Sequence, residues 1–357
     1  MLMNWMRDTY FALFMKNQRT ACLVAFLVCL GAGACRDTND TRMQRFLLQS
    51  NAMLKDHQAE RAEYYLKEAL KIDSCFADAW NNLGTLYFSQ KEYVKAMEQY
   101  DQALQCKSDY LAAYFNRANT AYELKAYYKA LSDIDKIIAV KPDTATAYFM
   151  RGLNLTRLRD FSGALKAFRV AQQRDPDNAE IIVNLGTVYY YQRAYDSARL
   201  MLTHASLLDP DEPNVYNTLA MIHLVNHQYD SAARMIDKAL ALSPDDAYFI
   251  NNRGYLALLT NRLDEGREDV DKSIMTDPDN GWAYRNKGLY FLLKGNVSEA
   301  VRLLEKAHTM DPFIERVDLY LGDAYLAAGD RAKGCLHLEE AVKRGDLEVK
   351  EKTAKCR

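Results

Sequence analysis

From Ala77 to Tyr110 the chain reads ADAWNNLGTLYFSQKEYVKAMEQYDQALQCKSDY, and this stretch decides the fold. Numbered from Ala77 as position 1, it places Trp80 at 4, Leu83 at 7, Gly84 at 8, Tyr87 at 11, Ala96 at 20, Tyr100 at 24 and Ala103 at 27. Steps of 34 residues in both directions begin further units at Met43, Leu111, Ala145, Ala179, Pro213, Ala247, Gly281 and Glu315, with no insertion between them. Position 8 is Ser50, Gly84, Ala118, Gly152, Gly186, Ala220, Gly254, Gly288 and Gly322, always small. Position 20 is alanine or glycine throughout, from Ala62 to Gly334. Two helices approach closely only where the side chains at their crossing are short, so the two columns stay small together. Six of the seven prolines (Pro142, Pro176, Pro210, Pro244, Pro278 and Pro312) occupy position 32, where they end the second helix of a unit.

These columns resemble the tetratricopeptide repeat (TPR), a helix–turn–helix of 34 residues. The resemblance implies an all-α fold, a right-handed superhelical solenoid of nine repeats over residues 43–348. First helices would run over about positions 1–14 and line the concave face. Second helices, over about positions 15–28, would form the outside. Because no unit buries its apolar face alone, stacked neighbours share one elongated core. Unit 7 carries Gly266 and Ser273 in its second helix and is expected to be the softest internal joint. Residues 349–357 form a C-terminal tail, expected to fray over the last unit.

The repeats leave no span for a separate catalytic domain. A formal net charge of −2 gives no basic surface for nucleic acid. His223 and His227 are four apart on one helix face, but Leu224 stands where an HExxH motif needs glutamate, and position 11 is a packing site. The DPDE, DPDN and SPDD strings recur at the unit junctions and read as turns and helix caps, not calcium loops. No enzyme, cofactor or metal is expected.

Residues 1–34 read as a signal. Lys16 and Arg19 precede the apolar run Ala21–Ala34, which is too short to span a bilayer comfortably, and small residues end it before Cys35. A start at Met15 would give a signal of ordinary length. The sequence AGAC resembles a bacterial lipobox, with Ala32 where leucine is usual, and the resemblance makes Cys35 the lipidated first residue of the mature chain. Residues 35–42 would be a polar tether, and Arg36 after the cysteine leans towards the outer membrane. Cys75, Cys106, Cys335 and Cys356 lie outside the signal without a CxxC, and free thiols are expected; a Cys335–Cys356 bridge pinning the tail is the alternative.

A binding groove should show at concave positions. Position 6 is asparagine in five units, as Asn82, Asn116, Asn184, Asn252 and Asn286, with Asn119 nearby. A carboxamide both donates and accepts, so such a ladder can pair with the backbone of an extended peptide, a known mode of the family. Phe115, Tyr122, Phe149, Tyr190, Tyr255 and Trp282 would supply apolar anchors. The family's carboxylate clamp is excluded, because Leu47 and Ala112 replace its basic residues. The expected function is a non-catalytic scaffold or adaptor at the bacterial cell envelope. It would bind partner protein segments in the groove and reach the membrane through a lipid anchor. Two alternatives stand beside it. One is a glycan or small-molecule binder, favoured if Tyr190 and Trp282 line a closed pocket. The other is a self-assembling structural protein.

Overall fold

The computed structural model describes residues 38–346, 349–353 and 356. The signal segment and Cys35 lie outside these residues. Helices are the only regular elements among the described residues, and they come in consecutive pairs: α1 (Asn39–Lys55) and α2 (Ala59–Ile72), α3 (Ala77–Ser89) and α4 (Tyr93–Cys106), α5 (Leu111–Glu123) and α6 (Tyr127–Val140), α7 (Ala145–Arg157) and α8 (Phe161–Arg174), α9 (Ala179–Tyr191) and α10 (Tyr195–Leu208). They continue as α11 (Pro213–Val225) and α12 (Tyr229–Leu242), α13 (Ala247–Leu259) and α14 (Leu263–Thr276), α15 (Gly281–Leu293) and α16 (Val297–Met310), and α17 (Val317–Ala327) and α18 (Arg331–Lys343), with a short α19 (Lys350–Thr353). The chain forms two compact bodies, one ending at Ala113 and one beginning at Tyr114. No described helix is long and apolar enough to cross a membrane.

The small columns do what their spacing requires. The alanines at position 20, from Ala62 to Ala300, are fully buried. Position 24 is a large apolar residue in every unit and is buried in each, as with Tyr100, Phe168, Leu202, Leu304 and Leu338. These side chains lie flat on the small residue at position 8. A Cβ on Gly152 would come within 2.5 Å of the Phe168 ring, and one on Gly84 within 2.6 Å of Tyr100. Gly266 fits the same logic. A Cβ there would meet the Gly254 carbonyl oxygen at 2.9 Å, so unit 7 has glycine on both sides of its crossing. Ser273 in that helix is also fully buried and satisfied, donating to the Ala247 carbonyl oxygen (2.7 Å) and accepting from Asn280 (3.0 Å). Both residues expected to loosen unit 7 therefore have a packing role.

Two boundaries differ from expectation. Position 15 adopts a left-handed backbone in every unit, at His57, Lys91, Lys125, Arg159, Arg193, His227, Asn261, Gly295 and Gly329. It closes the first helix with a six-residue hydrogen-bonded turn, as where Glu92 N donates to Tyr87 O (2.9 Å) and Asp160 N to Leu155 O (2.9 Å). That turn delays the second helix to positions 17–30. At the other end, α1 begins at Asn39, capped by the Thr38 hydroxyl, so the last four residues of the expected tether are helical.

The cysteines correct the expectation of free thiols. Cys75 and Cys106 are bridged, as are Cys335 and Cys356. The first bridge joins the turn after α2 to the last residue of α4, which a 34-residue repeat brings to the same level. The second pins the tail, so the described part of it is packed and not frayed. Val349 is fully buried there, and Lys352 Nζ lies 2.6 Å from Asp323 Oδ2. The Cys75–Cys106 bridge closes a loop of 31 residues, and loops of that size stabilise by about 2–4 kcal/mol. Cys75→Ser with Cys106→Ser should lower the unfolding free energy of the first body by that amount in urea titrations. Reduction should have no further effect on that body in the double variant.

Candidate binding site in the second body

In units 3–8, one junction breaks the period. In units 3–7, positions 33 and 34 pair an aspartate with a polar residue, from Asp143–Thr144 to Asp279–Asn280. Before unit 9 the same positions are Phe313 and Ile314. The turn itself is kept, with Phe313 N donating to Asp311 Oδ1 (2.8 Å) and Ile314 N to the Asp311 carbonyl oxygen (3.2 Å), but the polar residue before the helix is gone, Arg316 takes a left-handed backbone (φ 62°), and α17 starts two residues late at Val317. Ile314 packs into the core, while Phe313 remains half exposed at 48%. Arg285, 1% exposed, holds the loop by donating from Nη1 to the Glu315 carbonyl oxygen (2.9 Å). Its guanidinium lies over the rings of Tyr255 (4.2 Å) and Trp282 (5.4 Å).

The second body curves until this loop meets units 4 and 5. Tyr190 Oη donates to Glu315 Oε2 at 2.7 Å. Arg193 donates to the Gly345 carbonyl oxygen (2.6 Å) and to Asp346 Oδ1 (2.8 Å). The Arg159 guanidinium sits 4.4 Å from the centre of the Phe313 ring, and that of Arg344 sits 4.9 Å from it. Burial first, and then the Glu315 charge, push the Tyr190 hydroxyl well above its ordinary value, so it remains a donor. Burial likewise raises the Asp346 carboxyl, with Arg193 opposing it.

These contacts leave two adjoining cavities. The smaller, about 200 Å³, is lined by Tyr190, Arg193, Glu315, Arg316, Arg344 and Asp346, among others. The larger, about 910 Å³, is lined by Tyr122, Arg157, Phe161, Asn184, Thr187 and Tyr248, among others. Arg159, Tyr191, Trp282, Phe313 and Ile314 border both. Tyr191, Tyr248 and Phe313 present between 41% and 48% of their surface, a large exposure for aromatic side chains. Arg157 Nε donates to the Tyr122 hydroxyl (2.8 Å), which sets one wall.

The sequence-predicted residues separate into three groups. Tyr122, Asn184 and Trp282 border the larger cavity, and Tyr190 and Trp282 the smaller. Asn252, Tyr255 and Asn286 are buried, which removes them from any groove surface. Asn252 Nδ2 donates to Asn217 Oδ1 (2.7 Å) and Asn286 Nδ2 to Asn251 Oδ1 (2.8 Å). Tyr255 shares a hydrogen bond with Tyr320 (2.9 Å). In the first body, Asn82 donates in the same way to Asn51 (3.1 Å). At these three steps the asparagine joins its unit to the one before it, and burial keeps Asn252 and Asn286 from a peptide backbone, while Asn82 is half buried. Asn184 differs, donating back to the Glu180 carbonyl oxygen in its own helix (2.9 Å). Phe149 packs on Phe168 with ring centres 5.8 Å apart. Phe115, Asn116 and Asn119 belong to neither cavity lining; Asn119 is exposed, and the other two are half buried. Neither histidine of the His223, His227 pair faces the other. His223 pairs with Gln228 (2.7 Å) and His227 with Tyr229 (3.1 Å).

Sequence reasoning missed Arg157, Arg159, Tyr191, Phe313 and Arg344. The signal for the group was the replacement of the Asp–polar pair by Phe313–Ile314.

Small-residue crossings, left-handed turns and proline stops at one fixed period define a helical-repeat protein. The tetratricopeptide repeat family matches residues 77–110, 115–179, 155–222 and 217–281, together more than half of the chain, and the chain belongs to that family. Such repeats are typically a non-catalytic protein-interaction fold. No curated protein matches the sequence. Among solved structures, the fold is similar to that of PilF from Pseudomonas aeruginosa, at 20% identity and a TM-score of 0.51 over 59% of this chain and 96% of that one. It is also similar to the APC/C hetero-tetramer Cut9–Hcn1, at 16% identity and 0.60 over 89% of this chain and 63% of that one. MamA from Desulfovibrio magneticus RS-1 aligns at 20% identity and 0.46 over 48% of this chain and 97% of that one.

Loss of the Tyr190 hydroxyl should weaken the tie across the curve. Tyr190→Phe is expected to destabilise the second body by about 1–2 kcal/mol, because it leaves the part-buried Glu315 carboxylate without that donor. Tyr191→Phe, at an exposed neighbour, should stay within about 0.5 kcal/mol in the same denaturation series.

Proposed function

We propose that the protein is a non-catalytic adaptor that holds segments of partner proteins in the larger cavity of its second body. The observation that carries this reading is the set of half-exposed aromatic rings, Tyr191, Tyr248 and Phe313, placed beside Arg157 and Arg159 around about 910 Å³. Aromatic residues and arginine dominate the energetics of protein interfaces, since they bury much apolar area while keeping a polar handle. In this reading the adaptor sits at a bacterial cell envelope, held by a lipid on Cys35, and the lipobox-like AGAC before it supports that anchor while Arg36 favours the outer membrane. The two disulfides support an exported chain, because such bonds persist in oxidising compartments.

A second reading has one observation in its favour. Tyr190 and Trp282 do line one cavity, as a small-molecule or glycan binder would have them. Its volume of about 200 Å³ falls below the roughly 300–1,000 Å³ of most ligand pockets, and suits one side chain of a bound segment. The self-assembly reading loses its motive, since Val349 and the Cys335–Cys356 bridge hold the tail on the last repeat.

Tyr248→Ala with Phe313→Ala tests the cavity, because both rings are exposed enough to be removed without unfolding the body. Partners that the wild type recovers from envelope extracts should be lost or weakened by about 30-fold, the effect of one interface hot spot, at an unchanged melting temperature. Equal recovery would move the binding surface elsewhere. Cys35→Ser should shift the protein from the membrane fraction to the soluble fraction, and mass spectrometry of the wild type should show an acylated Cys35. A wild type that fractionates as soluble would overturn the anchor.

A further inference from the structure

The last two repeats bring together three ligating side chains. His308 lies in the last turn of α16, Asp318 in the first turn of α17 and His337 on α18, and one ligand atom of each lies within 4.8 Å of the others. Asp318 is 2% exposed. Its Oδ1 is 2.8 Å from His337 Nδ1 and 3.5 Å from His308 Nε2, while Oδ2 faces Arg344 Nη1 at 2.8 Å. The two imidazoles meet edge to face at 5.5 Å, and the Tyr325 ring stacks on His337 within 4° of parallel.

We propose that His308, Asp318 and His337 bind one divalent transition-metal ion, of which zinc is the type. Hydrogen bonding alone does not require this convergence. His337 is hydrogen-bonded to one oxygen of the buried carboxylate and Arg344 lies at ion-pair distance from the other, yet His308 Nε2 also lies 3.5 Å from the oxygen that His337 holds. Two imidazoles and one carboxylate are a donor set that suits zinc, cobalt or nickel. Metal–ligand bonds of about 2.0–2.2 Å in a tetrahedron separate the ligand atoms by about 3.3–3.6 Å; the observed 3.5 Å falls in that range, and the 2.8 Å pair opens by about half an ångström when an ion replaces its hydrogen bond. The remaining nitrogen–nitrogen edge closes by rotation of His308, whose side chain is 33% exposed. That open side provides the fourth position for water. Arg344 then acts as the outer partner that orients the ligating carboxylate, and the stacked Tyr325 fixes the His337 ring. The ion would join α16, α17 and α18, tying the last repeat to the one before it. Asp318 and Arg344 also border the smaller cavity, so the ion would stiffen one of its walls.

The signal was absent from the sequence because the three residues share no motif spacing; the helix packing alone assembles them. Calorimetric titration of zinc chloride into the tag-free protein tests the site, with His308→Ala, His337→Ala and His223→Ala as variants. Wild type and His223→Ala should each bind one zinc per chain, and the other two variants should bind it more than tenfold more weakly. Cobalt(II) should give a visible ligand-field band in wild type that both of those variants lose. His308→Ala carries the test if His337→Ala fails to fold, since His308 is part exposed and makes only the longer contact. Absence of saturable binding at one ion per chain, or equal affinity in His308→Ala, would overturn the proposal.

Discussion

The structure depends on the closeness of one helix crossing, repeated in every unit. A large apolar side chain at position 24 lies flat against a residue at position 8 that has little or no side chain of its own. The alanine or glycine at position 20 lets the two backbones come near enough for this. In unit 2 the pairing is Tyr100 on Gly84, and in unit 4 it is Phe168 on Gly152. Each crossing allows its unit to be thin, and thin units stack with their apolar faces in contact. The proline stops and the left-handed turns follow from the same requirement. A helix that overran its turn would carry the next crossing out of register.

In the second body the array departs from its own rule at the loop before α17. Placing Phe313–Ile314 where units 3–7 have an aspartate and a polar residue keeps the turn on Asp311 but supplies two apolar side chains. One enters the core and the other faces the curve of the second body. The buried Arg285 then fixes the loop from beneath and Tyr190 fixes it from across the curve, while Arg193 ties the turn after α18 to the same side. The irregular segment is thus tied to the repeats on two sides, and its aromatic ring stays exposed between Arg159 and Arg344.

The fold was legible because its determinants are local and periodic. Position 8, position 20 and the prolines repeat at one spacing, and any one unit predicts the others. Position 15 was not legible in the same way. Its residues (lysine, arginine, histidine, asparagine and glycine) share no property except tolerance of a turn, and the backbone conformation is imposed by the helix closing before it. The candidate site was read only in part. Tyr122, Asn184, Tyr190 and Trp282 were found from concave positions, but Arg159 and Arg344 reach the cavities through curvature, which no single unit specifies. Asn252 and Asn286 were misread for an instructive reason. A carboxamide on a first helix has the same sequence pattern whether it faces a ligand or the preceding unit. What decides is the partner: Asn217 and Asn251, each at position 5 of the preceding unit, stand ready to accept.

The ties across the curve also bear on how the cavity could bind. A solenoid that flexes must be ordered by its ligand, and that ordering opposes affinity. Here Tyr190 to Glu315 and Arg193 to Asp346 join residues more than a hundred positions apart, and both pairs are made within the chain itself. They set the separation of the walls before any partner arrives. The exposed rings of Tyr248 and Phe313 then face a space whose width does not have to be created on binding. Rigidity of the frame and exposure of the anchors are complementary: the first lowers the entropic cost of association, and the second supplies the apolar area that drives it.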